Sequence, residues 1–210
     1  MTWHVEALSP AQLTVLPSLG PLMTSRGFYL AGGTATALYL GHRRSIDFDW
    51  FCRSAFSDPE ALSAQLRQTG LSLQDPRISL GTLHAVVGGV RVSFFSYPYD
   101  EVGKPIVWQD YCVELASLDD IACMKLAAIA QRGSRKDFVD LYAIARHRKP
   151  IKDIFELYRR KYSASDIAHL LVALTYFDDA EEEPTLDILS DIRWDEVKRG
   201  FQQWARTLAG

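Results

Sequence analysis

Cysteine and long apolar runs are both scarce in this sequence. Its 210 residues contain three cysteines, Cys52, Cys112 and Cys123, and none of them belongs to a CxxC pair. A zinc ribbon or a disulfide framework is therefore not expected. No apolar run approaches the roughly 18 residues that a membrane-spanning helix needs, and the start MTWHVEAL lacks the basic and apolar regions of a secretory signal. We expect a reduced, cytoplasmic protein with no membrane partner.

Net positive charge is also lacking. Lys and Arg number 23 against 26 Asp and Glu, a net charge of −3 that disfavours a globally basic nucleic-acid binder. The charges are unevenly spread, because residues 125–161 carry a net +7 and residues 178–196 a net −8. The basic segment predicts either solvated helix faces or a local surface that attracts a polyanion.

The order of apolar patterns predicts the fold class. The chain is 48% apolar, which is enough for a core, and short strand patterns give way to helical ones after residue 116. We predict strands at 28–31, 45–51, 83–87 and 90–95, helices near 34–40, 59–68, 118–132, 135–147, 151–162, 165–177 and 194–208, and a loop at 178–184. The expected protein is α/β (α+β): a mixed sheet with flanking helices over residues 1–116, then a helical region over residues 117–210.

The segment GHRRSIDFDWF, residues 41–51, is the most informative. If residues 43–51 form a strand, Ile46, Phe48 and Trp50 face the core and Arg43, Ser45, Asp47, Asp49 and Phe51 share the opposite face. Aspartates two residues apart on a strand lie roughly 7 Å apart, so both carboxylates reach one Mg²⁺ or a metal pair. Aspartate is depleted in strands, which favours a metal site over a merely solvated face.

A glycine pair lies shortly before these aspartates. Gly32, Gly33 and Thr34 follow a predicted strand and open a predicted helix. The free N–H groups of a helix N-terminus attract an anion, and glycine lets a phosphate approach the backbone closely. We therefore expect a phosphate-binding turn next to the metal carboxylates.

Two predicted helices place cations opposite acids. Lys125 and Arg132 are two turns apart on one face, and Asp137 and Asp140 are neighbours on the next helix. These side chains form either a structural ion-pair seam or a phosphate site in which Asp140 orients Lys125 or the nucleophile. Ser134 and Asp137 match a capping box, which makes Asp140 the better functional candidate.

Taken together, three segments resemble the AbiEii-type nucleotidyltransferase toxins of the DNA polymerase β-like superfamily. They are GGTATALYLGHRRSIDFDWF, DDIACMKLAAIAQRGSRKDFVDLY and LVALTYFDDAEEEP, within about residues 28–196. The family motifs match Gly32, Gly33 and Thr34; His42, Arg43, Ser45, Asp47 and Asp49; and Lys125, Arg132, Asp137 and Asp140.

The resemblance implies a nucleotidyltransferase fold whose helical region completes the active site. It further implies an NTP substrate, Mg²⁺ on Asp47 and Asp49, an RNA or tRNA acceptor, and a toxin role with a cognate antitoxin in a toxin–antitoxin or abortive-infection system. The expected catalytic residues are Asp47, Asp49, Lys125 and Asp140, and the expected nucleotide-binding residues are Gly32, Gly33, Thr34, Arg43, Ser45, Lys125 and Arg132. Asp137 and His42 are secondary candidates, and His42 has the simpler alternative role of capping the strand.

One departure from the superfamily leaves alternatives open. Many of its enzymes carry a third carboxylate on a later strand, where residues 90–97 offer Ser93 and Ser96 but no acid. Either two aspartates suffice, or Asp137 or Asp140 completes the set, or activity is impaired. A small-molecule nucleotidyltransferase and a catalytically silent nucleotide- or partner-binding module are therefore alternative functions.

Overall fold

The computed structural model describes residues 2–54 and 58–209 of the chain. The strands are β1 (Phe28–Ala31), β2 (Asp47–Cys52), β3 (Leu73–Ser79), β4 (Thr82–Val87), β5 (Val90–Ser96), β6 (Ile106–Trp108) and β7 (Val113–Leu115). The α-helices are α1 (Pro10–Ser25), α2 (Gly32–Leu40), α3 (Pro59–Gln68), α4 (Leu118–Arg132), α5 (Arg135–His147), α6 (Ile151–Tyr162), α7 (Ala168–Ala173), α8 (Asp178–Glu182) and α9 (Trp194–Ala209).

The strands form one mixed sheet in the order β3-β4-β5-β2-β1-β7-β6. Strand β2 lies at its centre, antiparallel to β1 and parallel to β5. Gly88 and Gly89 both have positive φ and connect β4 to β5, so that Val87 pairs with Val90 in a tight hairpin. The predicted mixed α/β architecture and the predicted hairpin are confirmed.

Most of the predicted helices are present in the structure. Helices α3, α4, α5, α6 and α9 are confirmed at or near their predicted ends. Two predictions are wrong: the helix expected over 165–177 is limited to Ala168–Ala173, and the acidic loop expected over 178–184 begins with α8. Phe177 and Ala180 are buried there, so the acidic segment is fixed by apolar anchors.

Helix α1 and strands β3, β6 and β7 are absent from the sequence-based prediction. Helix α1 contains Pro17 and Pro21, which normally interrupt a helix. Its beginning is nevertheless marked, because the Ser9 hydroxyl accepts from the Gln12 N–H and the Gln12 side chain accepts from the Ser9 N–H. Strand β3 is exposed almost throughout, so it has no apolar alternation to detect.

A single apolar core joins the sheet to the later helices. It extends from Leu8 to Phe201 and includes Phe48 and Trp50, which are fully buried on one face of β2. The strands of the described residues end at Leu115 and helices α4 to α9 follow. The division into units at 1–116 and 117–210 remains a prediction. No helix in the described part of the chain is both long and apolar enough to cross a membrane.

A buried carboxylate ties the start of α4 to a loop and to α6. Asp120 accepts hydrogen bonds from the N–H groups of Val102 and Gly103, from the Ser117 hydroxyl, and from the Lys161 ammonium at 2.8 Å. Because Lys161 and Asp120 are both buried, each depends on the other for compensation of its charge.

We expect Asp120→Asn to lower the free energy of unfolding by about 3–5 kcal/mol, because it leaves the Lys161 ammonium buried without its counter-charge. The matched control is Asp119→Asn on the same helix, whose partly exposed pair with Lys149 should be worth less than about 1 kcal/mol. Urea unfolding of both variants measures the difference. Equal losses in the two variants would contradict the anchoring role of Asp120.

Candidate active site

A cavity of about 670 Å³ opens beside the polar face of β2. The beginning of α2, strand β5, helices α4 and α5, and residues 185–187 provide its other walls. Of the sequence-predicted site residues, those that line the cavity are Gly32, Gly33, Arg43, Ser45, Asp47, Asp49, Lys125, Arg132 and Asp137. Thr34, His42 and Asp140 lie buried behind this wall. Residues far apart in the sequence thus come together in one region.

Strand β2 begins at Asp47, two residues after the predicted start at residue 45, so Arg43 and Ser45 precede the strand. From Asp47 onward the alternation is as expected, with Asp47, Asp49 and Phe51 half-buried and the intervening residues buried. Arg43 instead forms an isolated bridge with Ile188. Ile46, expected in the core, is 59% exposed.

Asp49 is the unpaired carboxylate of the site. It makes no hydrogen bond or ion pair within the described residues, and burial raises its pKa while the nearby ammonium groups of Lys125 and Lys136 lower it. Gly32 allows its approach: a β-carbon at residue 32 would lie 2.8 Å from Asp49 Oδ2, and φ there is +66°. Asp47, by contrast, accepts a hydrogen bond from Arg91 Nε at 2.8 Å.

The turn at Gly32 and Gly33, here called the glycine turn, is in direct contact with polar side chains. A β-carbon at Gly33 would lie 2.4 Å from Arg43 Nη2, so only glycine fits there without displacing the guanidinium. The Thr34 and Ser45 hydroxyl oxygens are 2.7 Å apart, and the Thr34 hydroxyl donates to the Asp47 carbonyl. Ser45 therefore donates to Thr34, and both hydroxyls are used within the protein.

Asp140 is fully buried and surrounded by positive or donating groups. Its oxygens accept from Arg43 Nε at 2.6 Å and Nη2 at 2.8 Å, lie 2.6 Å from Lys125 Nζ, and lie 2.8 Å from His42 Nε2. Burial alone would raise the pKa of Asp140, but Arg43 and Lys125 hold it well below the usual range. His42 therefore belongs to this network and does not cap the strand.

Asp137 completes the ion-pair network at the cavity wall. Its oxygens are 2.8 Å from Lys125 Nζ and 2.8 Å from Arg132 Nε. The predicted capping box with Ser134 is wrong, because the Ser134 hydroxyl donates to Glu183 Oε2 at 3.0 Å. The same Glu183 oxygen accepts from the backbone N–H at residue 135 and so caps α5 from a distant part of the chain.

Three cations at the cavity were not predicted, and one of them, Arg44, pairs with Asp187. Lys136 precedes Asp137 on α5 and has no hydrogen-bond or ion-pair partner within the described residues. Arg91 lies beside Asp47 because β5 and β2 pair in parallel. The same register places Ser93 beside Asp49. In residues 2–54 and 58–209, no group of three His, Cys, Asp or Glu side chains could hold a metal.

The seven-stranded mixed sheet with its helices has a nucleotidyltransferase fold. JHP933 from Helicobacter pylori shares it at a TM-score of 0.58, with 16% identity over 95% of this chain and 92% of that one. The nucleotidyltransferase toxin MenT4 from Mycobacterium tuberculosis H37Rv matches at 0.57, with 13% identity over 93% and 86% of the two chains.

This chain belongs to the AbiEii nucleotidyltransferase toxin family of type IV toxin–antitoxin systems, whose model matches residues 77–208. An uncharacterised protein of Aquifex aeolicus (strain VF5) is 37% identical over 202 residues, which cover 95% of this chain and 96% of that protein. The matched family region contains Lys125, Arg132, Asp137 and Asp140, while the two strand aspartates lie before it.

We expect Asp140→Asn to destabilise the protein by about 3–5 kcal/mol at neutral pH, because Arg43 and Lys125 lose their shared counter-charge. The pKa of Asp140 is lower in the folded than in the unfolded state, so its stabilising effect is complete above about pH 4 and is lost as the pH falls further. The difference in the free energy of unfolding between wild type and Asp140→Asn should therefore become smaller below about pH 4.

Urea unfolding of the wild type and Asp140→Asn from pH 7 to pH 3 tests this expectation. Asp191→Asn is the control, because its exposed pair with Arg146 should contribute little at any pH. A pH-independent difference between wild type and Asp140→Asn would contradict a charged Asp140 in the folded protein.

Proposed function

We propose that the protein transfers a nucleoside monophosphate from an NTP to an acceptor hydroxyl and releases pyrophosphate, acting as the toxin of a toxin–antitoxin pair. The observation that carries the proposal is the unpaired Asp49 carboxylate beside Asp47, opposite a glycine turn and in one cavity with Arg132 and Lys136. A half-buried carboxylate without a partner is poorly compensated, so this arrangement favours a cationic ligand there.

Mg²⁺ suits this pair of carboxylates. It commonly takes one or two carboxylates and completes its coordination with water and substrate phosphate. Asp47 and Asp49 would hold it, with Asp47 exchanging its exposed partner Arg91 for the metal. When bound, the metal supplies charge stabilisation at the reacting phosphate. The proposal uses two carboxylates, because the oxygens of Asp137 and Asp140 are bonded to cations and Ser93 carries no acid.

The triphosphate would bind between the glycine turn and the cations of α4 and α5. The first N–H groups of α2 have no helical partner and belong to residues that line the cavity, so they can donate to a phosphate. Arg132 and Lys136 face the cavity from the other side. Lys125 contributes positive charge at the wall, and Asp137 and Asp140 fix its position.

The acceptor oxygen would form a bond to the α-phosphorus while the bond from that phosphorus to the bridging oxygen of the β-phosphate breaks. The acceptor proton passes to water, and the bonding electrons leave with pyrophosphate. Arg132 and Lys136 then compensate the negative charge that develops on the leaving group. Positive charges placed at the leaving group lower the energy of the transition state, in which that negative charge develops.

RNA, and tRNA in particular, is the proposed acceptor, and helix α6 is its proposed contact surface. Many cations of the basic segment are already paired internally, including Arg135, Arg146, Lys149 and Lys161. Lys161 is buried and cannot contact RNA from its present position. The exposed cations Lys152, Arg159 and Arg160 remain on α6. A cytoplasmic location and a cognate antitoxin partner belong to the same proposal.

We expect Asp47→Asn and Asp49→Asn each to slow nucleotide transfer by about 100-fold or more, because each removes a charge that would hold the metal. Both side chains lie on the cavity face, so thermal unfolding should change little. The measurement is transfer from labelled NTPs to total cellular RNA, with and without EDTA. Asp75→Asn, on the exposed strand β3 of the same sheet, is the matched control.

Wild-type transfer by either cavity variant, or in EDTA, would contradict the metal site. A small-molecule panel in the same assay tests the alternative acceptor class. Binding of NTP without transfer to any acceptor would favour the catalytically silent module, the alternative that the serine beside Asp49 supports.

If α6 contacts an RNA backbone, tRNA affinity must fall steeply with salt. Replacing Lys152, Arg159 and Arg160 with alanine should flatten the slope of log affinity against log salt by about 2–3, because each lost phosphate contact removes roughly 0.9. Filter binding across a salt series measures both proteins. Absence of tRNA binding at low salt, or a slope near zero, would exclude an RNA acceptor on this surface.

A further inference from the structure

One side of the cavity is formed by aromatic rings that the reaction proposed above does not use. Phe51, Phe95, Tyr97, Tyr99 and Tyr162, here called the aromatic wall, come from β2, β5, the segment after β5 and the end of α6. Tyr99 is 46% exposed and the other four are half-buried. Aromatic side chains usually complete a core or an interface, so five of them around an open cavity indicate a binding surface.

The rings of the aromatic wall contact one another in sequence. Phe51 stacks on Phe95 with ring centroids 5.1 Å apart and meets Tyr97 edge-on at 5.3 Å. Tyr97 lies 4.8 Å from Tyr99, which in turn lies 5.0 Å from Tyr162. The wall is therefore one continuous surface and not a set of isolated side chains.

Buried polar contacts fix this surface from behind. The hydroxyl groups of Tyr97 and Tyr162 are hydrogen-bonded to each other. The Lys161 ammonium lies 5.5 Å from the centre of the Tyr97 ring and pairs with Asp120, the buried anchor at the start of α4. A ligand that stacks on the wall would find the rings already in place, which reduces the entropic cost of binding.

The wall begins next to the two aspartates. Phe51 follows Asp49 by two residues on the same face of β2, a separation of roughly 7 Å, and Phe95 pairs with Phe51 on the neighbouring strand. A nucleotide whose α-phosphate lies at Asp49 thus has rings within reach of its base. The phosphate-binding groups and the wall share one cavity, which favours a single ligand with an anionic end and a flat apolar end.

We propose that the aromatic wall is the site at which the nucleobase of the donor NTP stacks. This inference rests on the proposed nucleotidyltransferase function and adds the subsite that recognises the base. Phenylalanine rings offer no hydrogen-bonding group, and the Tyr97 and Tyr162 hydroxyls are bonded to each other, which leaves the exposed Tyr99 hydroxyl as the one polar group of the wall that could reach a base. The wall therefore distinguishes a nucleotide from a bare polyphosphate without selecting strongly among the bases.

Calorimetric titration of the full chain with two kinds of ligand tests the proposal. The ligands are ATP and CTP analogues that cannot be cleaved between the α- and β-phosphates, and inorganic tripolyphosphate, which has no base. We expect Phe95→Leu and Tyr99→Leu to weaken binding of both analogues about tenfold, the order of one lost stacking contact, and to leave tripolyphosphate binding unchanged. Phe95→Tyr keeps the ring and should keep the affinity.

Two further variants serve as controls for the leucine substitutions. Tyr176→Leu changes an exposed tyrosine outside this cavity and should alter neither ligand. Lys136→Ala removes a proposed phosphate contact and should weaken nucleotide and tripolyphosphate by the same factor. Thermal unfolding of each variant establishes that it is folded under the titration conditions, and Phe95→Met and Tyr99→Met, which also remove the ring, replace any leucine variant that is not.

The outcomes separate this inference from the function on which it rests. Equal affinity of wild type for nucleotide and tripolyphosphate, or equal weakening of both by the leucine variants, would overturn the stacking site and leave the transferase proposal intact. Unchanged nucleotide binding with weaker tRNA binding would also overturn it, in favour of an acceptor base on the wall. If wild type binds neither polyphosphate ligand, the proposed function itself fails.

Discussion

The buried Asp140 carboxylate is the interaction on which the cavity depends. It joins helix α5 to Arg43 and His42 before strand β2, and to Lys125 on helix α4. Three segments that are distant in the sequence are therefore held by one anion that has no contact with water. A buried ion network of this kind adds little net stability over apolar packing, but it requires one arrangement of its partners. The relative positions of the glycine turn, the strand aspartates and the cations follow from that arrangement.

The network also divides the cations of the site into two groups. Arg43 and Lys125 are buried and neutralised by acids of α5, so their positions are fixed before any ligand arrives. Arg132 is shared between Asp137 and solvent, and Lys136 has no partner in the described residues. The second group can respond to an incoming anion at low cost, because little has to be broken.

The strand and helix periods of the sequence correctly predicted features that depend on residues close together in the chain. The period of two in β2 separated Asp47 and Asp49 from Phe48 and Trp50, and the helix period correctly brought Lys125 to the side facing the acids of α5. The resemblance selected the residues that gather around the cavity, whose roles remain predictions.

Contacts between distant segments were not accessible to the same reasoning. The position of Arg91 beside Asp47 follows from the parallel pairing of β5 with β2. The cap of α5 comes from Glu183, nearly fifty residues later in the chain. It takes the place of the capping box that was predicted between Ser134 and Asp137. Gly33 lies against Arg43, and this contact couples the glycine turn to the ion network around Asp140. Even a methyl group at residue 33 would have to move the guanidinium that binds Asp140. A residue larger than glycine at position 33 is therefore compatible only with a different side chain, or a different side-chain position, at residue 43.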